Sequence, residues 1–549
     1  MKITIVLLLF IFLFFPYLAR ADHIEEGTLE YLIVTNESTA HEEWYLLKKD
    51  GTRIELKGPI HGHTGKKIKA HGHFSNHAFI VHELLAADGS PSTAHDIPEA
   101  LPDENLGDLR AAVIFIDFPD KPETSVTISQ LRTDLKGIIE PYYTDVSDGK
   151  THLTLDVFGK YTADINHICT TSAIVNAAIR AADPFVDFTQ YQFVAVVSPT
   201  NCGYSGIAVL GRTNLTTADG IIRAGYSNTI STAGTLRSAQ VMTHELGHNF
   251  RSHHSGFFQC SGPTLTPAFR DCTVIEYGNP YSVMGQAANV GEFDSAQKAY
   301  VGFWDEGIDY IDVTSPGRHT LLPHDTNNNG LRGLRIHRGV MNDLWVEARD
   351  SSFFQNLYPT ADFSQGALLT VTSGKSLSSY RQAKPLLLDA SGGSSPFSPA
   401  LLPGQTFTDP ATGATVTTVS RTPNELIVDV TPGTPDDTIP TAEFLQPTEW
   451  GVDVVKSGTV RLEVTASDDN LTFSEIYDPL NHSFLKICTS FPCIWDIDTT
   501  QLANRRQYFY FIAQDAVGNI GRDVIYFTIY NPPTTIPVVP SEVQATFLP

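Results

Sequence analysis

Val241-Met-Thr-His-Glu-Leu-Gly-His-Asn-Phe-Arg-Ser-His-His254 is the stretch from which the rest of the chain can be read. It contains His244-Glu245-x-x-His248. On a helix, residues i and i+4 lie one turn apart on the same face. His244 and His248 can then offer two imidazole nitrogens to one metal ion. Glu245 can stand beside a metal-bound water as general base. Leu236, Ala239, Leu246 and Phe250 recur near helical spacing and predict the buried side of that helix. Gly234 and Thr235 mark its start, with Thr235 as the expected N-cap. Ordinary polar residues on a surface helix are the plain alternative, and they leave His254 unexplained.

A catalytic zinc site needs three protein ligands and one open position. His244 and His248 supply two. His254 is the third by spacing. Its neighbour His253 and the carboxylates Glu276 and Glu292 are the other candidates.

His244-Glu-Leu-Gly-His248-x-x-x-x-x-His254 resembles the zinc signature of the metzincin metallopeptidases. Downstream, Glu276-Tyr-Gly-Asn-Pro-Tyr-Ser-Val-Met-Gly285 resembles a metzincin Met-turn. Its form, followed by Phe293-Asp-Ser-Ala-Gln-Lys298, is most similar to the gametolysin-like peptidases. There is a looser likeness to secreted immune-inhibitor-type bacterial proteases. The resemblance spans residues 107–310. It implies a zinc endopeptidase with one catalytic Zn2+ on His244, His248 and His254, Glu245 as catalytic base, Met284 beneath the metal, and a protein or peptide substrate. It also implies that Gly206–Leu210, the strand ahead of the zinc helix, lies along the cleft and pairs with extended substrate. The chain has only 4 Met, and one falls where that turn belongs.

Two positions depart from the pattern. Metzincins usually carry Gly three residues after the second His, where the chain turns sharply; here that residue is Arg251. Asn249 is the expected supplier of a left-handed conformation in its place. Gln286 stands where some metzincins have Tyr. Tyr277 and Tyr281 lie close in sequence, and neither is assigned to catalysis.

At 549 residues the chain exceeds one core. The fold expected is multidomain: an α/β metzincin-like catalytic domain flanked by an N-terminal β-rich domain and C-terminal β-sandwich domains, the last Ig-like. Residues 1–21 read as a signal peptide, with Met1-Lys2, the apolar run Ile3–Leu18, and Ala19-Arg20-Ala21 as cleavage site. That run is short for a span and contains Pro16, so the expectation is a secreted protein without a membrane span after cleavage. A net charge of −24 argues against a nucleic-acid partner. The 6 Cys are compatible with export and favour neighbouring pairs, Cys169–Cys202, Cys260–Cys272 and Cys488–Cys493. A disulfide between Cys260 and Cys272 would brace the segment between the zinc helix and the Met-turn. No C-x-x-C pair exists to suggest a structural zinc.

Residues 22–100 read as the β-rich domain, with strands at Leu29–Val34 and Glu43–Leu47 and a turn at Asp50-Gly51. His61, His63, His71, His73, His77 and His82 crowd it. They suit solvated strands and loops better than a metal site, and a propeptide laid over the active site is the other reading. Ser90–Leu106 is a Pro- and acid-rich linker and a candidate processing site. In residues 107–310, Ala111–Phe118 and Phe193–Val197 are buried strands that alternate with helices at Ser129–Ile139 and Ser172–Ala182. Residues 311–433 have β-sandwich composition. Within them, Asp325–Gly330 opens like a Ca2+ loop, but Ile336 stands where Glu is needed, so an Asn-Gly turn is favoured. Residues 441–531 read as the Ig-like domain, which either meets a surface partner or acts as a spacer. Residues 532–549 are a tail. Asn36, Asn214, Asn470 and Asn481 lie in glycosylation sequons.

Two other functions compete. One is a surface-binding or adhesion protein with a degenerate protease domain. The other is a zinc amidase acting on cell-wall peptides.

Overall fold

The computed structural model describes residues 23–532 apart from 36–39, 59, 61–63, 76–77, 88–102, 200–201, 233, 261–271, 287–289, 326–329, 341, 351–359, 373–383, 391, 393–394, 452–453 and 479–482. The signal segment, most of the Ser90–Leu106 linker, His61, His63, His77, Asn36, Asn481, the middle of the Asp325–Gly330 loop and nearly all of the tail lie outside the described residues. The described chain forms two compact units. One comprises residues 1–438 with 516–519, the other residues 439–515 with 520–549.

The first unit is built on one large sheet. An N-terminal region contributes β1 (His23–Thr35), β2 (Ala40–Leu47), β3 (Arg53–Lys57), β4 (Lys67–Ser75) and β5 (Ala78–Ala86). The α/β region that follows contributes β6 (Gly107–Asp117), α1 (Ile128–Val146), β7 (Thr151–Thr162), α2 (Thr171–Ala182), β8 (Phe193–Ser198), β9 (Gly206–Val209), β10 (Thr213–Thr217), β11 (Gly220–Ile230) and α3 (Thr235–Asn249). β6 runs parallel to β7 and β8, and β8 runs parallel to β11. β9 is antiparallel to β11. The sequence stretch Gly206–Leu210 leads not to the zinc helix but to the β10–β11 hairpin, whose second strand enters the sheet between β9 and β8.

Alternation along the buried strands sorts the core. Ala111, Val113 and Phe115 of β6 face one side with Leu131, Leu135 and Tyr143 of α1 and Ala239, Met242 and Leu246 of α3. Ala112, Ile114 and Ile116 face the other side with Ile174, Ala178 and Ile179 of α2. The sheet is thus covered on both faces, as parallel strands require.

β9 is not a free edge. Leu32, Ile33, Val34 and Thr35 of β1 pair antiparallel with Val209, Ala208, Ile207 and Gly206. Leu32 and Val34 join the core of the α/β region, while Leu29, Tyr31 and Ile33 join the N-terminal core with Leu210. The edge expected to receive substrate is therefore filled by the chain's own N-terminal region.

A second sheet crosses the boundary read at residues 310–311. It contains β12 (Gly256–Cys260), β13 (Cys272–Ile275), β14 (Tyr310–Asp312), β16 (Gly333–Gly339), β17 (Asn342–Glu347), β18 (Leu368–Thr372) and β19 (Pro385–Leu388). Its order is β13-β12-β19-β18-β17-β16-β14. A smaller sheet of β15 (Gly317–Leu321), β20 (Thr406–Thr408), β21 (Thr415–Thr422) and β22 (Glu425–Thr431) packs on it. Leu334, Leu344 and Leu369 meet Leu321, Val416 and Leu426 between them. A short helix, α4 (Ser295–Val301), lies between these regions in sequence.

The second unit is a pair of sheets of three and five strands around Phe444, Leu462, Val464, Phe511 and Phe527. Cys169–Cys202, Cys260–Cys272 and Cys488–Cys493 are disulfide-bonded, the three local pairs expected from the sequence. Cys260 and Cys272 face each other across β12 and β13. Among the described residues, no helix is long and apolar enough to cross a membrane.

Candidate metal centre

α3 is buried from Ser238 through Asn249 except at Gln240. Ala239, Met242, Leu246 and Phe250 pack into the core, whereas Leu236, expected with them, is 57% exposed at the first turn. The N-cap is Gly234, with no side-chain cap bond, and Thr235 is the first helical residue; its hydroxyl reaches Asp134 instead. Asn249 stays within the helix. Its amide donates to the carbonyls of Val209 (2.8 Å) and Tyr226 (3.1 Å), which ties the helix to the sheet. The left-handed turn falls on Arg251 itself, at φ 74°. The sharp turn expected after the second His is thus kept without Gly. Arg251 pairs with Glu104 at 3.1 Å, and its backbone N–H donates to the His248 carbonyl.

That turn brings His254 back to His244 and His248, and the ligand atoms of all three lie within 4.8 Å of one another. Each ring is held by its Nδ1. His244 donates to the Val283 carbonyl at 2.7 Å, His248 to the Ser252 carbonyl at 2.8 Å, and His254 to a carboxylate oxygen of Glu276 at 2.7 Å. All three partners can only accept, Glu276 being an ionised carboxylate. Each Nδ1 therefore carries the hydrogen, which leaves Nε2 as the atom a neutral ring can offer to a metal. The Nε2 atoms of His248 and His254 are 3.1 Å apart, and Nε2 of His244 has no hydrogen-bond partner among the described residues. Three imidazole nitrogens converging in a buried site suit a cation, so the donor set fits a metal ion such as zinc. Burial, and next the nearby His254, push His244 down to about 3; burial likewise pushes His248 well below the ordinary histidine range. Both rings thus stay neutral near pH 7, the form that binds metal.

Glu245 is fully buried on the same helix. It packs against Gly206 of β9: a Cβ there would come within 2.2 Å of Glu245 Oε1. Only glycine leaves room for that carboxylate against β9. Met284 lies under the helix in the same way, since a Cβ on Gly247 would fall 2.4 Å from its sulfur. The turn around Met284 also sets two ligands. Val283 holds His244, and the Met284 carbonyl accepts from Ser255, next to His254.

The other candidates are not members of the three-histidine cluster. His253 faces Tyr31, with ring centroids 5.8 Å apart. Glu292 forms an ion pair with buried Lys298 at 2.5 Å. Tyr281 packs on Phe363, and the Tyr277 ring lies 4.3 Å from that of His254. Glu276 does reach the site, but behind His254, and its second oxygen meets Lys384 at 2.7 Å. Burial alone would raise the Glu276 carboxyl; the hydrogen bond from His254 and the Lys384 charge hold it below the usual range.

The motif Phe293–Lys298 also has a structural task that the sequence reading did not assign. Asp294 and Gln297 form a capping box at α4. Asp294 accepts from Ser255 at 2.9 Å and Gln297 donates to the His253 carbonyl at 2.7 Å, so α4 clamps the segment that bears His254. An Asp three residues before Gln was the available signal.

Residues 147–287 match the family model Reprolysin_5, metallo-peptidase family M12. The match supports a metallopeptidase domain in this part of the chain. No curated protein matches the chain. Among solved structures it is similar to the endo-beta-1,4-mannanase from Thermotoga petrophila, at 15% identity over 17% of this chain and 20% of that one, with TM-score 0.15. It is similar to the fibronectin(III)-like modules of Clostridium thermocellum CbhA, at 14% identity over 16% of this chain and 96% of that one, with TM-score 0.14. It is also similar to metalloproteinase-II from Bacteroides fragilis, at 7% identity over 51% of this chain and 90% of that one, with TM-score 0.22. Likenesses this partial bear on neither chemistry nor substrate.

Proposed function

We propose that the chain is a secreted zinc endopeptidase that hydrolyses peptide bonds of extracellular proteins, most similar to the gametolysin-like branch. The convergence of three imidazole ligand atoms, with the buried Glu245 on the same helix as two of them, carries this reading. When bound at His244, His248 and His254, zinc supplies Lewis-acid activation of water and of the scissile carbonyl. Glu245 takes the proton of the attacking water and delivers it to the leaving amine. α3 carries that carboxylate, and Gly206 lets it lie against β9. A complete ligand set speaks against an adhesion protein with a degenerate site.

Purified protein is expected to cleave casein, to lose that activity to a chelator and to regain it with Zn2+. Glu245→Ala should lower kcat by roughly 10²- to 10⁴-fold with metal binding retained. Casein cleavage that survives the substitution would sink the mechanism. Release of peptides from peptidoglycan, with casein left intact, would favour the amidase reading.

The N-terminal region is read here as a propeptide. Thr35 of β1 is paired with Gly206, the residue against which Glu245 packs, so β1 occupies the edge a substrate would use. Strand addition to that edge is the recognition mode such a cleft offers. Cleavage in the Ser90–Leu106 stretch would separate the region from the α/β part. The second unit is read as an Ig-like module that positions the enzyme on a surface partner.

A further inference from the structure

Behind the three candidate ligands lies a polar chain that ends in the β-sandwich region. His254 Nδ1 donates to one oxygen of Glu276 at 2.7 Å. Lys384 Nζ donates to the other oxygen, also at 2.7 Å. Glu276 directly follows β13, and Lys384 directly precedes β19. The two are brought together by the second sheet. β12, which begins two residues after His254, pairs antiparallel with β13 and parallel with β19. His254, Glu276 and Lys384 therefore stand at one end of three adjacent strands. Hydrogen-bonded strands fix such a juxtaposition far more tightly than loops do.

We propose that Glu276 and Lys384 are positioning residues for the metal site, Glu276 acting on His254 and Lys384 acting on Glu276. Neither touches substrate or metal. Glu276 fixes the ring tautomer and the direction in which His254 presents Nε2. His244 and His248 lean on neutral carbonyls, so His254 is the one ligand of the three with a charged support. Lys384 holds the second oxygen of that carboxylate and stops it from swinging away. By this account the β-sandwich region is part of the metal site and not an appendage to it. The inference rests on the zinc reading above.

The test measures metal affinity without turnover. Zn2+ is titrated into apoprotein against a chromogenic chelator for wild type, Glu276→Gln, Glu276→Ala, Lys384→Met and the Glu276→Ala, Lys384→Met pair. Glu276→Ala should weaken binding about 10- to 100-fold, the usual cost of losing such a support. Lys384→Met should weaken it several-fold, and should add nothing once Glu276 is Ala. Glu276→Gln keeps the shape and loses the charge, so it should fall between wild type and Glu276→Ala. The absorption spectrum of the Co2+-substituted protein should shift with the same variants. Thermal unfolding of the apo forms identifies any variant that fails to fold, and the Gln variant then carries the test. Affinities within twofold of wild type for Glu276→Ala and Lys384→Met would overturn the proposal. A wild type that binds no Zn2+ would overturn the zinc reading itself.

Discussion

Two flanking regions each lend a strand to the metallopeptidase domain, and they do opposite things. On one side β1 adds to β9 through the pairs from Leu32–Val209 to Thr35–Gly206. On the other side β19 adds to β12 through the pairs from Gly256–Leu386 to Phe258–Leu388. Both additions satisfy an edge that would otherwise invite association. β1 lands on β9 with Thr35 opposite Gly206, the residue against which Glu245 packs. β19 lands behind His254 and brings Lys384 to Glu276. The same backbone chemistry therefore meets the candidate site at Gly206 in one case and beside Glu276 in the other. The first region should be removable with a gain in activity, and the second should not.

The largest expected effect comes from taking β1 away. A cleavage site engineered into Ser90–Leu106, followed by removal of the N-terminal fragment, should raise kcat/KM on casein by about 1,000-fold, or ~4 kcal/mol. Adding the fragment back should restore inhibition. A milder variant, Leu32→Asp, should give part of the gain without exposing the whole edge. Equal activity of the cut and intact forms, with both folded, would break the contrast between the two strands.

A smaller effect is expected on the supporting side. Asp294 of the α4 clamp is buried near Glu347 of β17, and burial, then that neighbour, push it up to about 7. A carboxyl with a raised folded value contributes stability that is full below its unfolded value of 3.8 and is lost as pH rises through about 7. The unfolding midpoint in urea with chelator present should therefore fall between pH 5 and pH 8 by roughly 2 kcal/mol in stability. Asp294→Asn keeps the cap geometry and should flatten that slope. An unchanged slope would show that the clamp does not titrate.

The smallest effect concerns Arg251, which ends α3 beside Glu104. Arg251→Gly relieves a left-handed conformation that costs an ordinary residue ~1 kcal/mol, and it loses an ion pair of about the same size. The two should cancel to within about 0.5 kcal/mol in thermal unfolding. A large loss would make the Glu104 pair the main support of the turn.

What could be read without a structure follows from range. His244, Glu245 and His248 lie within two turns of one helix, so their common face is a matter of helical geometry. His254 was accessible because a tight reversal spans few residues, whereas the Met284 turn was accessible only through its resemblance to a metzincin Met-turn. The local cysteine pairs were accessible for the same reason. The helix start was misplaced by one residue, because a capping hydroxyl such as that of Thr235 competes with a tertiary partner, here Asp134. Asn249 was the better left-handed residue by intrinsic preference, yet its amide is spent on Val209 and Tyr226, so Arg251 takes the strained position.

The sequence alone therefore determined the chemistry in the helix: two imidazoles one turn apart, a carboxylate beside them and a third imidazole just beyond. Only the tertiary structure decided what faces that chemistry. Strand pairing between β1 and β9, the meeting of Lys384 with Glu276, and the pocket at Gly206 for Glu245 join residues remote in sequence. Backbone hydrogen bonds carry no residue code, so a sheet edge accepts whichever strand the rest of the core brings to it.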